Sequence, residues 1–225
     1  PFGGEFVDGR VYGRGAGDDK ASVTAQVMAG IAIARAAVPL NGALVVTAVA
    51  DEEIGGRAGA IQLFEQGGLA PDWVIVGEQT LGRVCVGEKG GAACRVHVRG
   101  SGAHASMPWL GANAIDAMAE IMVSLKRDLF PRLSERTHPL FLPSTGAITT
   151  ISGGVKENII PDACSIYIDR RLVPGETPDG CRAEIDDIVQ RVVADYPGTE
   201  ATVVFDDPSE VWAASATVSS SPVVQ

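Results

Sequence analysis

No run of about 18 apolar residues occurs anywhere in the 225-residue sequence, so no segment is expected to span a membrane. Clusters of Lys and Arg are also missing. With 18 basic against 28 acidic residues and a net charge of −10, neither nucleic acid nor an anionic membrane is expected as the main partner. The four cysteines, Cys85, Cys94, Cys164 and Cys181, show neither CxxC nor Cys/His metal spacing, and two of them fall inside apparent strands. Buried free thiols in a reducing, cytoplasmic compartment are the expected state. The glycine-rich stretch Gly3 to Gly17 has no strand–GxGxxG–helix order and no GKS or GKT ending, which excludes the dinucleotide and P-loop fingerprints. The chain opens on Pro1-Phe2 with neither an initiator methionine nor a signal segment, so part of the natural N-terminus is expected to be absent. What is present is ample for a core: 46% of the residues are hydrophobic, enough for one large domain or two smaller ones.

The organising stretch is Ala43 to Gly56, ALVVTAVADEEIGG. Its apolar, β-branched half, Ala43 to Val49, suits a strand buried on both faces of a parallel sheet. Asp51, Glu52 and Glu53 would then lie beyond the carboxyl end of that strand, where ligands bind in open α/β sheets. Adjacent carboxylates there repel one another, so their pKa values rise or a cation holds them; a solvated acidic loop is the plainer alternative. Upstream, Val23, Val27, Ile31 and Ala34 recur at helical spacing, which puts Asp18 and Asp19 at a helix N-terminus, with capping as their simplest role. Downstream, Ala58 to Gln66 is helical, and Trp73 to Gly77 forms a second buried strand ending on Glu78. Three acidic boundaries, at Asp18, Glu52/Glu53 and Glu78, can therefore meet at one sheet edge, where oxygen ligands bind cations.

Near Gly90 the pattern changes. Cys94, Val96 and Val98 alternate with Arg95, His97 and Arg99, and Cys164, Ile166 and Ile168 alternate with Ser165, Tyr167 and Asp169, as in a sheet with one wet face. A helix over Ala112–Arg127, with Ile115, Met118, Met122 and Leu125 on one face, precedes a strand over Gly146–Ile151. A helix from Thr177-Pro178, carrying Ile185, Ile188, Val189 and Val192, precedes a strand over Ala201–Phe205. The order β-α-β-β-α-β describes a split-βαβ, ferredoxin-like unit. The expected organisation is a partial α/β catalytic domain over 1–90, with a mostly parallel sheet and flanking helices. A second α+β domain is inserted over 91–207, and a segment over 208–225 returns to the first domain.

Six pieces in this order, GRGAGDDK, ADEEIGG, VGEQ, GSGAHASMPWLGANAI, ENIIP and DRRLVPGE, resemble the M20 family of metallopeptidases, which includes succinyl-diaminopimelate desuccinylase, acetylornithine deacetylase, aminoacylase and the glutamate carboxypeptidases. The resemblance spans residues 1 to about 207. It implies a dizinc hydrolase, with Co²⁺ or Mn²⁺ as other metals such a site accepts, and a lid domain that forms a homodimer. Asp18 matches the carboxylate bridging two Zn²⁺, and the peptide after it is expected to be cis. Glu52 matches the general base, while Glu53 and Glu78 match terminal metal ligands; Asp51 is expected to support its neighbours. His104 matches the lid histidine that steadies the oxyanion in the partner subunit's site. Asn158 and Arg171 match positions that hold a substrate carboxylate, and Arg170 is expected on the opposite face of its strand. His97 and His138 match nothing.

The resemblance also implies two histidine ligands, one in an H-x-D motif before the glycine-rich stretch and one near the end of the catalytic domain. No residue of this chain matches either. Three carboxylates, Asp18, Glu53 and Glu78, then remain for two metals, and the chain by itself is expected to bind metal weakly or not at all. Two functions follow. One is hydrolysis of an N-acyl amino acid or small peptide that carries a free carboxylate. The other is a metal-free fragment or relative acting as a dimerisation or ligand-binding module.

Overall fold

The structure, a computed structural model, describes residues 1–205 and 207–225. The chain divides into two compact units, one of Pro1–Val86 with Val218–Gln225 and one of Gly87–Thr217.

In the first unit, β1 (Glu5–Val7) and β2 (Arg10–Tyr12) form an antiparallel hairpin. Its turn needs Asp8 and Gly9 at positive φ, a conformation that Gly adopts freely and Asp tolerates. Helix α1 (Lys20–Arg35) follows at the predicted place. Short helical turns come next: a 3₁₀ turn at Glu52–Ile54, a wide turn at Arg57–Ile61, and α2 (Gln62–Gln66). The two runs expected as buried parallel strands, Ala43–Val49 and Trp73–Gly77, form no ladder among the described residues. A strand exists through its neighbours' N–H and C=O groups, and neither run has such a neighbour here. Their side chains stay in solvent accordingly, with Val45 58% and Ile75 73% exposed. Every strand pair among the described residues is antiparallel.

The second unit holds the core. Its strands are β3 (Gly87–Glu88), β4 (Gly90–Ala92), β5 (Cys94–Arg99), β6 (Thr145–Gly153), β7 (Ala163–Leu172), β8 (Glu200–Val204), β9 (Val211–Trp212) and β10 (Ser215–Ala216). Its helices are α3 (Ala114–Ser124), which runs on through a wide turn into α4 (Phe130–Leu133), and α5 (Pro178–Val193). Strand β7 is central: β6 lies on one edge, and β5 with β4 lies on the other, in continuous register from Arg99↔Ala163 to Gly90↔Leu172. Outside these, β8 pairs with β5 and β9 with β4. Of the tail 208–225, Val218–Gln225 groups with the first unit and the part before it with the second. Val211–Trp212 and Ser215–Ala216 pair with β4 and β3, so this unit runs from Gly87 to Thr217.

Period-two alternation decides which face is dry. Cys94, Val96, Val98, Ile166, Ile168 and Leu172 turn inward against α3 and α5. Helix α5 buries the predicted Ile185, Ile188, Val189 and Val192. Helix α3 buries Ala114, Ala117, Met118 and Ile121, a face turned away from Ile115, which is 37% exposed. Of the predicted face, Met118 and Leu125 are fully buried and Met122 packs against the core, while Ile115 lies at its edge. Asn113 starts α3 by accepting from the N–H groups of Ile115 (2.9 Å) and Asp116 (3.4 Å), and Thr177 caps α5 through Gly180 N–H at 3.1 Å; each cap contributes about 1 kcal/mol.

Candidate active site

In the first unit the sequence brings four carboxylates into one field. Lys20 N–H donates to Gly15 O at 3.0 Å, with Gly15 at positive φ, and this folds the GRGAG loop back onto the start of α1. The Asp18-Asp19 peptide is cis, as expected. Asp19 stands at the N-cap of α1, yet its side chain makes no capping hydrogen bond, and its Oδ1 is buried without a partner among the described residues. Capping is therefore not what these aspartates do. Gly77 packs on the first turns of α1: a Cβ there would lie 2.7 Å from Ser22 Cβ and 3.1 Å from Asp19 Oδ2, so only glycine lets the segment before Glu78 come this close.

Glu78 feels the result. Burial first, and then repulsion from Glu52, Asp18 and Asp19, push its carboxyl above the usual range, partly offset by the Gln79 N–H. Asp18 and Glu52 thus each act on Glu78, as does Asp19, whose simplest reading from the sequence is a helix cap. Its signal was the second acid of GRGAGDDK. Glu53 is exposed on the 3₁₀ turn and is not among the groups that act on Glu78. Asp51, at φ 75°, accepts the Ala58 N–H at 3.0 Å, and Gly55 and Gly56 follow with positive φ, so Asp51 shapes the loop that presents Glu52.

The oxygen donors and their mutual repulsion suit a divalent cation in kind, but not in number. Among the described residues no three His, Cys, Asp or Glu side chains stand close enough together to hold a metal ion. The structure therefore gathers no metal-binding group around Asp18, Glu53 and Glu78 among the described residues.

The second unit positions the other candidates. His104 and Ile159 form an isolated antiparallel bridge, and Ala105 N–H donates to Asn158 O at 2.9 Å, so the SGAHASMP and ENIIP loops are clipped together. Nδ1 of His104 lies 2.8 Å from Ser106 Oγ and accepts the Ser106 N–H at 3.2 Å. Strand alternation sends the two arginines of DRRLVPGE to opposite faces. Arg170 is buried, bonded to Ser144, Thr145 O, Cys181 and Glu176. Arg171 is on the wet face, where Asp169 grips it at 2.9 and 3.0 Å and the Trp212 ring lies beneath it, 5.5 Å from its centre. Sequence reasoning missed Ser106 and Trp212. Ser106 could have been read from its place two residues after the histidine, whereas Trp212 carries no local signal.

Comparison with known proteins gives the family. The family model for the M20 peptidase dimerisation domain matches residues 86–197. An acetylornithine deacetylase of Myxococcus xanthus is 33% identical over 198 residues, covering 87% of this chain and 51% of that protein. A succinyl-diaminopimelate desuccinylase of Rhodospirillum centenum is 30% identical over 201 residues, covering 85% and 51%. The chain spans about half the length of the curated relatives it matches. Among solved structures, aminopeptidase PepT from Bacillus cereus shares the fold, with a TM-score of 0.66 at 18% identity, over 98% of this chain and 56% of that one.

Proposed function

The chain belongs to the M20 peptidase family, and from that premise we propose that it is the part of a metal-dependent hydrolase that carries the general base and the lid. The reaction is cleavage of an amide bond in an N-acyl amino acid or small peptide bearing a free carboxylate. Glu52 takes a proton from the attacking water and returns it to the leaving nitrogen. Asp18, Glu53 and Glu78 would be this chain's share of the metal ligands, with zinc as the metal. A divalent ion, if these residues held one with ligands from elsewhere, would supply Lewis acidity to the water and the carbonyl. His104 donates to the oxyanion as the tetrahedral intermediate forms. Asn158 and Arg171 hold the substrate carboxylate, the guanidinium fork being suited to it. The unit over Gly87–Thr217 is in this reading a ferredoxin-like lid that pairs two protomers, and the protein works in the cytoplasm, its cysteines free thiols.

The observation that carries this reading is the buried, unpartnered Asp19 Oδ1 at the start of α1, beside a Glu78 carboxyl pushed up by burial and by Glu52, Asp18 and Asp19. Like charges near a carboxyl favour its protonated form or a bound cation, and such a perturbed acid is a candidate for chemistry. The test is release of free amine from a panel of N-acetyl and N-succinyl amino acids and dipeptides, with and without a chelator. Chelator-sensitive release supports the hydrolase. No release from any of them, with metal added, supports the second reading of a binding or dimerisation module, which the self-contained core of the second unit favours.

A further inference from the structure

We infer that Ser106 is a positioning residue that holds His104 in its Nε2–H tautomer, so that the far edge of the ring is a hydrogen-bond donor. The inference rests on the reading of His104 as the oxyanion donor and says how a neutral imidazole fills that role. A hydroxyl beside a ring nitrogen is ambiguous, because O–H can donate to a bare nitrogen or accept from a protonated one. A backbone N–H can only donate. Since Ser106 N–H points at Nδ1 at 3.2 Å, Nδ1 carries the lone pair, and the Ser106 hydroxyl at 2.8 Å then donates to it and strengthens the preference. In neutral imidazole the proton then sits on Nε2.

The surrounding backbone keeps the ring in this arrangement. Met107 N–H donates to His104 O at 2.8 Å, which closes a tight turn over Ala105 and Ser106. On the other side, the His104↔Ile159 bridge and the bond from Ala105 N–H to Asn158 O (2.9 Å) tie the turn to the ENIIP loop. With Nδ1 bound to its own turn, Nε2 on the opposite edge of the ring faces away from it. The device matters because an unrestrained imidazole populates both tautomers. The Nδ1–H form would offer a lone pair at Nε2 and repel a developing oxyanion.

The measurement is long-range ¹H–¹⁵N correlation of the 225-residue chain at about pH 8.5, some two units above the ordinary histidine pKa of ~6.5. Only three histidines contribute signals, and His104→Gln assigns the one of interest. The expected spectrum shows a lone-pair-type Nδ1 and a proton-bearing Nε2 for His104. Ser106→Ala, which keeps the backbone donor but loses the hydroxyl, shifts His104 toward a tautomer mixture, and Ser106→Thr restores the wild-type pattern. Unchanged His97 and His138 signals show that the variants are folded. A proton-bearing Nδ1 in the wild type, or the same tautomer ratio in all three proteins, overturns the inference. In an active protein of the relatives' length, Ser106→Ala lowers kcat about two- to tenfold with KM unchanged, the value of one hydrogen bond. His104→Ala separates the two ideas: intact kcat there removes the oxyanion role, while the spectrum still decides the tautomer.

Discussion

The guanidinium of Arg171 lies 5.5 Å from the centre of the Trp212 ring, and Gly91, the residue paired with both across β4, makes the contact possible. A Cβ on Gly91 would run into the Trp212 ring. With Asp169 holding one side of the fork and the indole supporting its plane, Arg171 is kept in one orientation on the open face of the sheet. If Arg171 binds the substrate carboxylate, Trp212→Leu raises KM about two- to fivefold, the value of an exposed cation–π contact, and leaves kcat alone. Steady-state kinetics on an N-acyl amino acid check this, and a fall in kcat at constant KM contradicts it.

Arg170, one residue away, has a different task. It is fully buried, with Glu176 Oε1 at 3.3 Å, and Arg136 binds the same oxygen at 2.8 Å. Burial alone would raise the Glu176 pKa. The Val173 N–H, Arg136, the Ser144 hydroxyl and Arg170 outweigh it and hold the carboxyl below its ordinary value of 4.5. A carboxyl lowered in the folded state contributes stability that is present above the unfolded value and lost as the pH falls through the folded one. Glu176→Ala is therefore expected to cost about 3 kcal/mol at neutral pH, because it leaves Arg170 buried and short of a partner. The gap from wild type narrows as the pH falls below the ordinary 4.5 and closes as it passes through the lowered folded-state value. Urea midpoints across pH measure it, and a pH-independent gap contradicts it.

Burial separates the two units in stability. Ile168→Ala removes a fully buried side chain from the core and is expected to lower stability by about 2–5 kcal/mol. Ile75→Ala, at a position 73% exposed, is expected to change it by less than about 0.5 kcal/mol. Denaturant titration of both variants makes the comparison, and equal effects would place a core where the structure has none.

These contrasts show what the sequence could and could not reveal. Alternation in DRRLVPGE separated Arg170 from Arg171 because a strand's side chains change face at every residue. The same rule failed for Ala43–Val49 and Trp73–Gly77: their apolar runs state a preference for burial, whereas a strand also needs pairing partners, which are a property of the rest of the fold. Asp18, Glu52 and Glu78 were legible as acids at element boundaries, but the part played by Asp19 depends on the close approach of Gly77 to α1. Trp212 was illegible because its partner, Arg171, is 41 residues away and meets it only across β4.

Metal binding gives a further check. With oxygen donors alone and no group of three within reach of one ion among the described residues, the isolated chain is expected to retain less than one zinc per chain after desalting. Elemental analysis settles the ratio. Stoichiometric zinc contradicts the expectation and requires ligands from a second copy.

The most direct test of the account is Glu52→Gln in an active protein of the relatives' length, assayed for amine release from an N-acyl amino acid. If Glu52 is the general base, turnover falls by about 10²–10⁴-fold while zinc content and oligomeric state stay those of the wild type. Unchanged turnover contradicts the account and removes Glu52 from the chemistry.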